Sequence, residues 1–267
     1  MSRRLSRTGW LPNQHGAWAI LVVPVVVGMV ERGRAGGLPG WAWPLLACWL
    51  VGYFAFFAAG LWLKAPARRR HALVRPMVTY GAVSAVAGAV ALAWQGGSLA
   101  WWAVVFAPLV AASAWLTAHR RERDLASGVL TVTASALMLP VMRFTTPDAA
   151  LAGGLGWDAL VTVLIWASFV GTVLYVKTMI RERGHRSWWL ASMGWHTACL
   201  VAGAMVALAH PASPWWLATF AVALGRAAGV PWLVTARGRR IGPQQIGVAE
   251  IAVVMLVVLS ALLVPPA

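Results

Sequence analysis

Residues 157–180 read WDALVTVLIWASFVGTVLYVKTMI, with eighteen consecutive uncharged residues between Asp158 and Lys177. An α-helix rises about 1.5 Å per residue, so a run of about 20 apolar residues matches a hydrocarbon layer about 30 Å thick. This stretch is read as a transmembrane helix. The same pattern recurs outward from it in both directions. Apolar runs fall at 16–30, 41–63, 77–95, 99–118, 125–142, 157–180, 188–209, 215–235 and 246–264. Between them stand glycine pairs (Gly36-Gly37, Gly96-Gly97), prolines (Pro211, Pro243) or charge clusters (Arg68-Arg69-Arg70, Arg121-Glu122-Arg123), which supply turns and resist burial in lipid. The predicted class is all-α, a polytopic transmembrane helical bundle of about nine helices forming a single domain over residues 1–267.

Composition agrees. Of 267 residues 60% are apolar and 11% charged, against about one quarter charged in soluble globular chains. Nine spans of about 20 residues would use roughly 180 positions, which leaves no room for a separate soluble domain. The net charge of +15 points to membrane topology and not to nucleic acid, because the basic residues sit between apolar runs and not on a polar face. The opening Ser2-Arg3-Arg4 is faintly like a twin-arginine export signal. The run that follows ends at Glu31-Arg32-Gly33-Arg34 with no small-residue cleavage pattern, so an uncleaved first helix is expected. Cys48 and Cys199 both lie inside apolar runs and form no paired motif, which indicates neither a disulfide framework nor a thiolate metal site.

The basic residues also orient the chain. When connections are assigned alternately, one side receives eighteen of the 22 Lys and Arg residues: Arg3, Arg4, Arg7, Lys64, Arg68, Arg69, Arg70, Arg75, Arg120, Arg121, Arg123, Lys177, Arg181, Arg183, Arg186, Arg237, Arg239 and Arg240. The other side receives Arg32, Arg34 and Arg143, and Arg226 lies within a run. Short basic loops are retained in the cytoplasm, so the expected location is a bacterial inner membrane, N-terminus cytoplasmic and C-terminus outside. Tryptophans at the run ends (Trp41, Trp43, Trp94, Trp101, Trp102, Trp157, Trp188, Trp189, Trp215, Trp216) read as interfacial belts.

Few residues inside the runs carry chemistry. His15 at the mouth of the first run, Lys177, His196, Arg226 and Glu250 are the ionisable side chains to explain. A charge in hydrocarbon costs about 2.5–3.5 kcal/mol on insertion scales, so each needs a partner or a wet cavity. Counted from the cytoplasmic ends of their runs, Arg226 and Glu250 differ in depth by roughly 6 Å, which an arginine side chain bridges. An Arg226–Glu250 ion pair between antiparallel neighbours is therefore expected, with His196 at similar depth. Two readings stand, a lock between two helices and a ligand-facing site. Lys177 is read as reaching to the cytoplasmic interface. His196 and Cys199 share a helix face at an allowed metal-ligand spacing, but without a second pair of ligands the packed histidine is preferred, and no metal or cofactor is expected. Asn13, Gln14 and His15, with Arg68, Arg69, Arg70 and Arg75, are candidates for an anion-binding cytoplasmic mouth, a role that topological retention alone also explains. No phosphate loop, nucleophile elbow or metalloprotease helix occurs in the sequence, so no enzymatic motif is found.

The segment Pro12-Asn13-Gln14-His15-Gly16-Ala17-Trp18-Ala19, with Pro24 and Gly28 behind it, resembles the opening of the YwiC-like family of bacterial membrane proteins. Residues Tyr175 to Arg183 and Gln245-Ile246-Gly247 to Glu250 are similar to later segments of that family. This resemblance implies a membrane protein and no established activity. A more distant resemblance is architectural. Nine helices with long cytoplasmic loops after the second and sixth are similar to the UbiA prenyltransferase superfamily, which holds magnesium on a diphosphate through aspartate-rich loops. Here the first of those loops, from Lys64 to Pro76, contains no acid, and the second holds Glu182 among cations. Magnesium needs oxygen ligands, so metal-dependent prenyl transfer is not expected. A cationic chamber can still hold an isoprenoid or another anionic lipid through charge-assisted hydrogen bonds. Two alternatives stand beside it: a small-solute or ion transporter using Arg226, Glu250 and His196, and a non-catalytic membrane assembly partner.

The orientation is directly testable. Reporter fusions after Arg70, Arg123, Arg186 and Arg240 should report cytoplasm, and fusions after Gly97, Pro147, Ala212 and the C-terminus should report the outside. A reversal from mid-chain onward would mean that the helix count is wrong.

Overall fold

In the computed structural model, residues 8–12, 16–152, 156–210, 213–236 and 242–263 are described. Every element among them is helical: α1 (Ala17–Gly36), α2 (Ala42–Lys64), α3 (Ala67–Gln95), a 3₁₀ turn (Ser98–Trp101), α4 (Trp102–Ala118), α5 (Leu125–Ala136), α6 (Met138–Arg143), α7 (Pro147–Ala152), α8 (Trp157–Ile180), α9 (Arg186–Ala209), α10 (Trp215–Ala236) and α11 (Pro243–Leu262). The all-helical class is as expected. Among the described residues eight segments are long and apolar enough to cross a membrane, the first of them Ala42–Lys64. The chain divides into two compact units, Met1–Gly154 and Leu155–Ala267.

In the first unit, α2 and α3 form a long hairpin, stitched by Ser84 donating to the Cys48 carbonyl at 2.9 Å. Indole N–H groups satisfy backbone carbonyls elsewhere, Trp49 on Leu21 at 2.9 Å and Trp102 on Phe144 at 3.2 Å. Helix α1 lies against α6, and the close approach is set by Gly28. A methyl group there would stand 2.7 Å from the Leu139 carbonyl oxygen and 2.9 Å from the Met142 Cβ. Arginines near the ends of these two helices exchange hydrogen bonds. Arg32 donates to the Arg143 carbonyl at 2.6 Å and Arg143 donates to the Glu31 carbonyl at 3.1 Å, while buried Glu31 takes Arg34 at 2.9 Å. Arg32 thus serves the last carbonyl of α6, where terminal carbonyls need donors, and Arg34 and Arg143 lie in the last turns of their helices, where cations suit the dipole.

Several expectations are corrected. The charged break Arg68-Arg69-Arg70 and the Arg75-Pro76 step are helical, inside α3, which begins at Ala67, ten residues before the apolar run at 77. Arginine is a good helix former, so the change in polarity marks the edge of the hydrocarbon and not the end of the helix. The run 125–142 is divided at Leu137, because Pro140 has no N–H and its ring crowds the carbonyl four residues before it. The first run, 16–30, does form a helix, but α1 continues through Glu31, Arg32 and Arg34 and is not among the eight candidate spans. Trp41, Trp102 and Trp216 are core residues and not members of an interfacial belt, whereas Trp43, Trp94, Trp101 and Trp215 are exposed. Adjacent residues on a helix point about 100° apart, so of each pair Trp101/Trp102 and Trp215/Trp216 one ring faces out and its neighbour faces in. The α4–α5 connection carries Glu122, 3.0 Å from Lys64. Partial burial pushes the Glu122 carboxyl up, but a backbone N–H, the Lys64 ammonium and Arg123 outweigh it and hold it below the usual carboxylate range.

In the second unit α8 packs on α9, α9 on α10, α10 on α11 and α11 back on α8, a closed ring of four helices. Trp216 and Phe220 stack inside it, and Thr219 meets Ser260 at 2.8 Å between α10 and α11.

The α1–α6 approach yields a prediction. Gly28→Ala should cost about 1–3 kcal/mol through overpacking against backbone, visible as a lower melting temperature in detergent. Gly81→Ala, where an added methyl would meet nothing within 4 Å, should leave melting unchanged or raised. Equal melting of the two variants would show that α1 does not seat on α6.

Candidate functional site

Helix α8 is almost wholly apolar, yet Thr172 and Tyr175 stand three residues apart on one of its faces. Helix α9 brings Ser192 and His196 one turn apart, α10 brings Arg226, and α11 brings Glu250. The closed ring directs these side chains together. Arg226 donates through Nη1 to Glu250 Oε1, and Thr172 donates to Glu250 Oε2 at 3.1 Å. The Arg226 guanidinium lies over the Tyr175 ring, 4.2 Å from its centre, a cation–π contact that stabilises charge away from water. The His196 Nδ1 stands 2.7 Å from the Ser192 carbonyl and so acts as a donor. In the neutral ring this leaves a lone pair on Nε2, which accepts from Arg226 Nη2 at 3.4 Å. Gly171 makes the room, since a methyl group there would stand 3.1 Å from that Nε2.

Arg226 and Glu250 side chains are 8% and 11% exposed. Burial this deep makes their mutual neutralisation obligatory, because removing one partner of such a pair costs about 3–5 kcal/mol. Arg226 Nε is buried with no hydrogen-bond partner among the described residues, a donor left over after Glu250 and His196 are served. At one side of the cluster lies an apolar layer of Tyr175, Met179, Ala227 and Ile246. In this arrangement a proton can sit on the Glu250 carboxylate or the His196 imidazole, while the Arg226 guanidinium stays charged throughout; among the described residues no three His, Cys, Asp or Glu side chains gather as a metal ion would require.

The other candidates lie elsewhere. Lys177 is in the last turn of α8, over the Trp188 ring at 4.5 Å and 3.7 Å from Glu182. Arg68, Arg69, Arg70 and Arg75 lie on α3 in the first unit, all exposed. Asn13, Gln14 and His15 lie outside the described residues, so of the expected mouth only the α3 arginines are described. Sequence reasoning missed Thr172 and Tyr175 as site residues. The available signal was their shared helix face, which a count of charges passes over.

The model of the YwiC-like protein family matches residues 11–143, within the first unit. Among curated proteins the chain is 29% identical to "Uncharacterized protein YwiC" of Bacillus subtilis (strain 168) over 189 residues, 70% of this chain and 73% of that protein. It is 25% identical to an "Uncharacterized protein" of Haemophilus influenzae over 190 residues, 71% of this chain and 75% of the relative. No solved structure matches the chain, and the UbiA-like resemblance rests on the pattern of helices alone. The match to residues 11–143 and these two relatives make the chain similar to the YwiC-like family over about half of its length.

Proposed function

We propose that this multi-pass membrane protein moves a small solute or an ion, with Arg226, Glu250 and His196 as the working site and Thr172 and Tyr175 as its support. One observation carries the reading: three ionisable side chains from three helices converge inside an apolar four-helix unit, with a guanidinium donor to spare. Ionisable groups placed within spanning helices mark ion and proton pathways more often than structure alone requires. Pro231, which lacks a backbone N–H, lies inside the continuous helix α10 five residues beyond Arg226. In the orientation given by the charge asymmetry, the α8–α9 connection faces the cytoplasm. The cluster lends nothing to an isoprenoid chamber, because Arg226 is engaged by Glu250.

Two measurements test this. In detergent, folded yield of Arg226→Leu and Glu250→Leu should each fall sharply and the double variant should recover much of the loss, a coupling of about 2 kcal/mol or more. Strictly additive losses would remove the pair as an energetic unit. For function, full-length protein in liposomes on a solid-supported membrane is exposed to concentration jumps of protons, sodium, potassium, phosphate and small carboxylates. At least one jump should evoke a current absent from empty liposomes and reduced about tenfold or more in Glu250→Gln, which keeps the side-chain shape and loses the charge. Coupling in the cycle with no current from the whole panel would make the cluster a lock between helices.

A further inference from the structure

A second feature of the α8–α11 unit is not used by that site. A groove of about 330 Å³ lies between the α8–α9 connection and the last turns of α10. One lip is cationic, formed by Arg183 and Arg186 with His185 between them, and the groove lining contains no acidic residue. The one acid of this connection, Glu182, is engaged by His185 at 3.0 Å and Lys177 at 3.7 Å. Arg183 donates through Nε to the Met179 carbonyl at 2.9 Å, which fixes its guanidinium at the end of α8. The remaining wall is apolar, with Met179, Trp189 and Trp232. Trp232 is 69% exposed although it sits inside a candidate span, so its ring faces lipid.

We infer that this groove binds an anionic phospholipid, its headgroup phosphate on Arg183 and Arg186 and the upper part of an acyl chain along Met179 and Trp232. The charge is complementary, since two arginines without a lining carboxylate favour a phosphate and arginine forks match its oxygens. Basic pockets between helices at a membrane face take anionic headgroups. The apolar wall decides between lipid and free anion: a small soluble anion has no use for an exposed indole near the end of a candidate span, whereas a phospholipid needs both surfaces next to each other. The site shares Met179 and Pro231 with the surroundings of the Arg226 cluster but none of its charged side chains, and it stands whether or not that cluster transports anything.

The test is native mass spectrometry of the full chain, released from detergent after titration with dioleoyl-phosphatidylglycerol or, separately, dioleoyl-phosphatidylcholine. The protein should retain phosphatidylglycerol in preference to phosphatidylcholine. Arg183→Gln with Arg186→Gln should lower phosphatidylglycerol retention about tenfold and leave phosphatidylcholine unchanged. Arg121→Gln with Arg123→Gln, which removes the same charge from the α4–α5 connection, should retain the lipid as the parent does. Equal retention in the groove variant, or an equal fall in the α4–α5 variant, overturns the site. Displacement of phosphatidylglycerol by millimolar inorganic phosphate overturns its assignment to lipid. If the groove double variant fails to fold, Trp232→Ala decides on its own: it alters an exposed ring, and undiminished phosphatidylglycerol retention there overturns the proposal.

Discussion

A charge cannot be left alone in hydrocarbon, and the second unit is organised by that constraint. With Arg226 on α10 and Glu250 on α11, the two helices must present these side chains to each other. Satisfying the second carboxylate oxygen then draws in Thr172 from α8, and the guanidinium face and spare Nη draw in Tyr175 and His196. Each later partner answers a lone pair, a donor or a ring face that the first pair left exposed. The closed ring of helices is the smallest arrangement that serves all of them, and Gly171 is the gap that lets α9 bring its imidazole close enough.

The same economy of polar groups governs the first unit with different means. There the groups to be satisfied are mostly backbone carbonyls, met by indole N–H groups, hydroxyls and two arginines. No water reaches such positions in a bilayer, so each donor has a structural duty. The family match lies over this unit, while the ionisable cluster lies in the other.

Much of this was legible in the sequence. The span 157–180 corresponds residue for residue to α8, and the Arg226–Glu250 contact follows from counting depth along two runs of known rise. What escaped has common physical causes. Hydropathy senses the solvent and not the backbone, so it stopped at residue 77 while α3 had already begun at Ala67. It is also blind to azimuth, which is why buried Trp102 and exposed Trp101 looked alike, and why Thr172 and Tyr175 passed as ordinary members of an apolar run. The groove beside Trp232 is made by residues more than forty positions apart and has no signature along the chain.

The exchanged hydrogen bonds between α1 and α6 bear on how the protein is made. The two hydrogen bonds join residues separated by 111 and 112 positions. Chains are synthesised from the N-terminus at about 5–20 residues per second, so the Glu31 carbonyl of α1 waits several seconds for Arg143 to emerge. During that interval the Gly28 face of α1 has no Leu139 to seat against. Helix α1 can dock early on α2 through the Trp49–Leu21 hydrogen bond, but its seat on α6 closes only after the α2–α3 hairpin has been made.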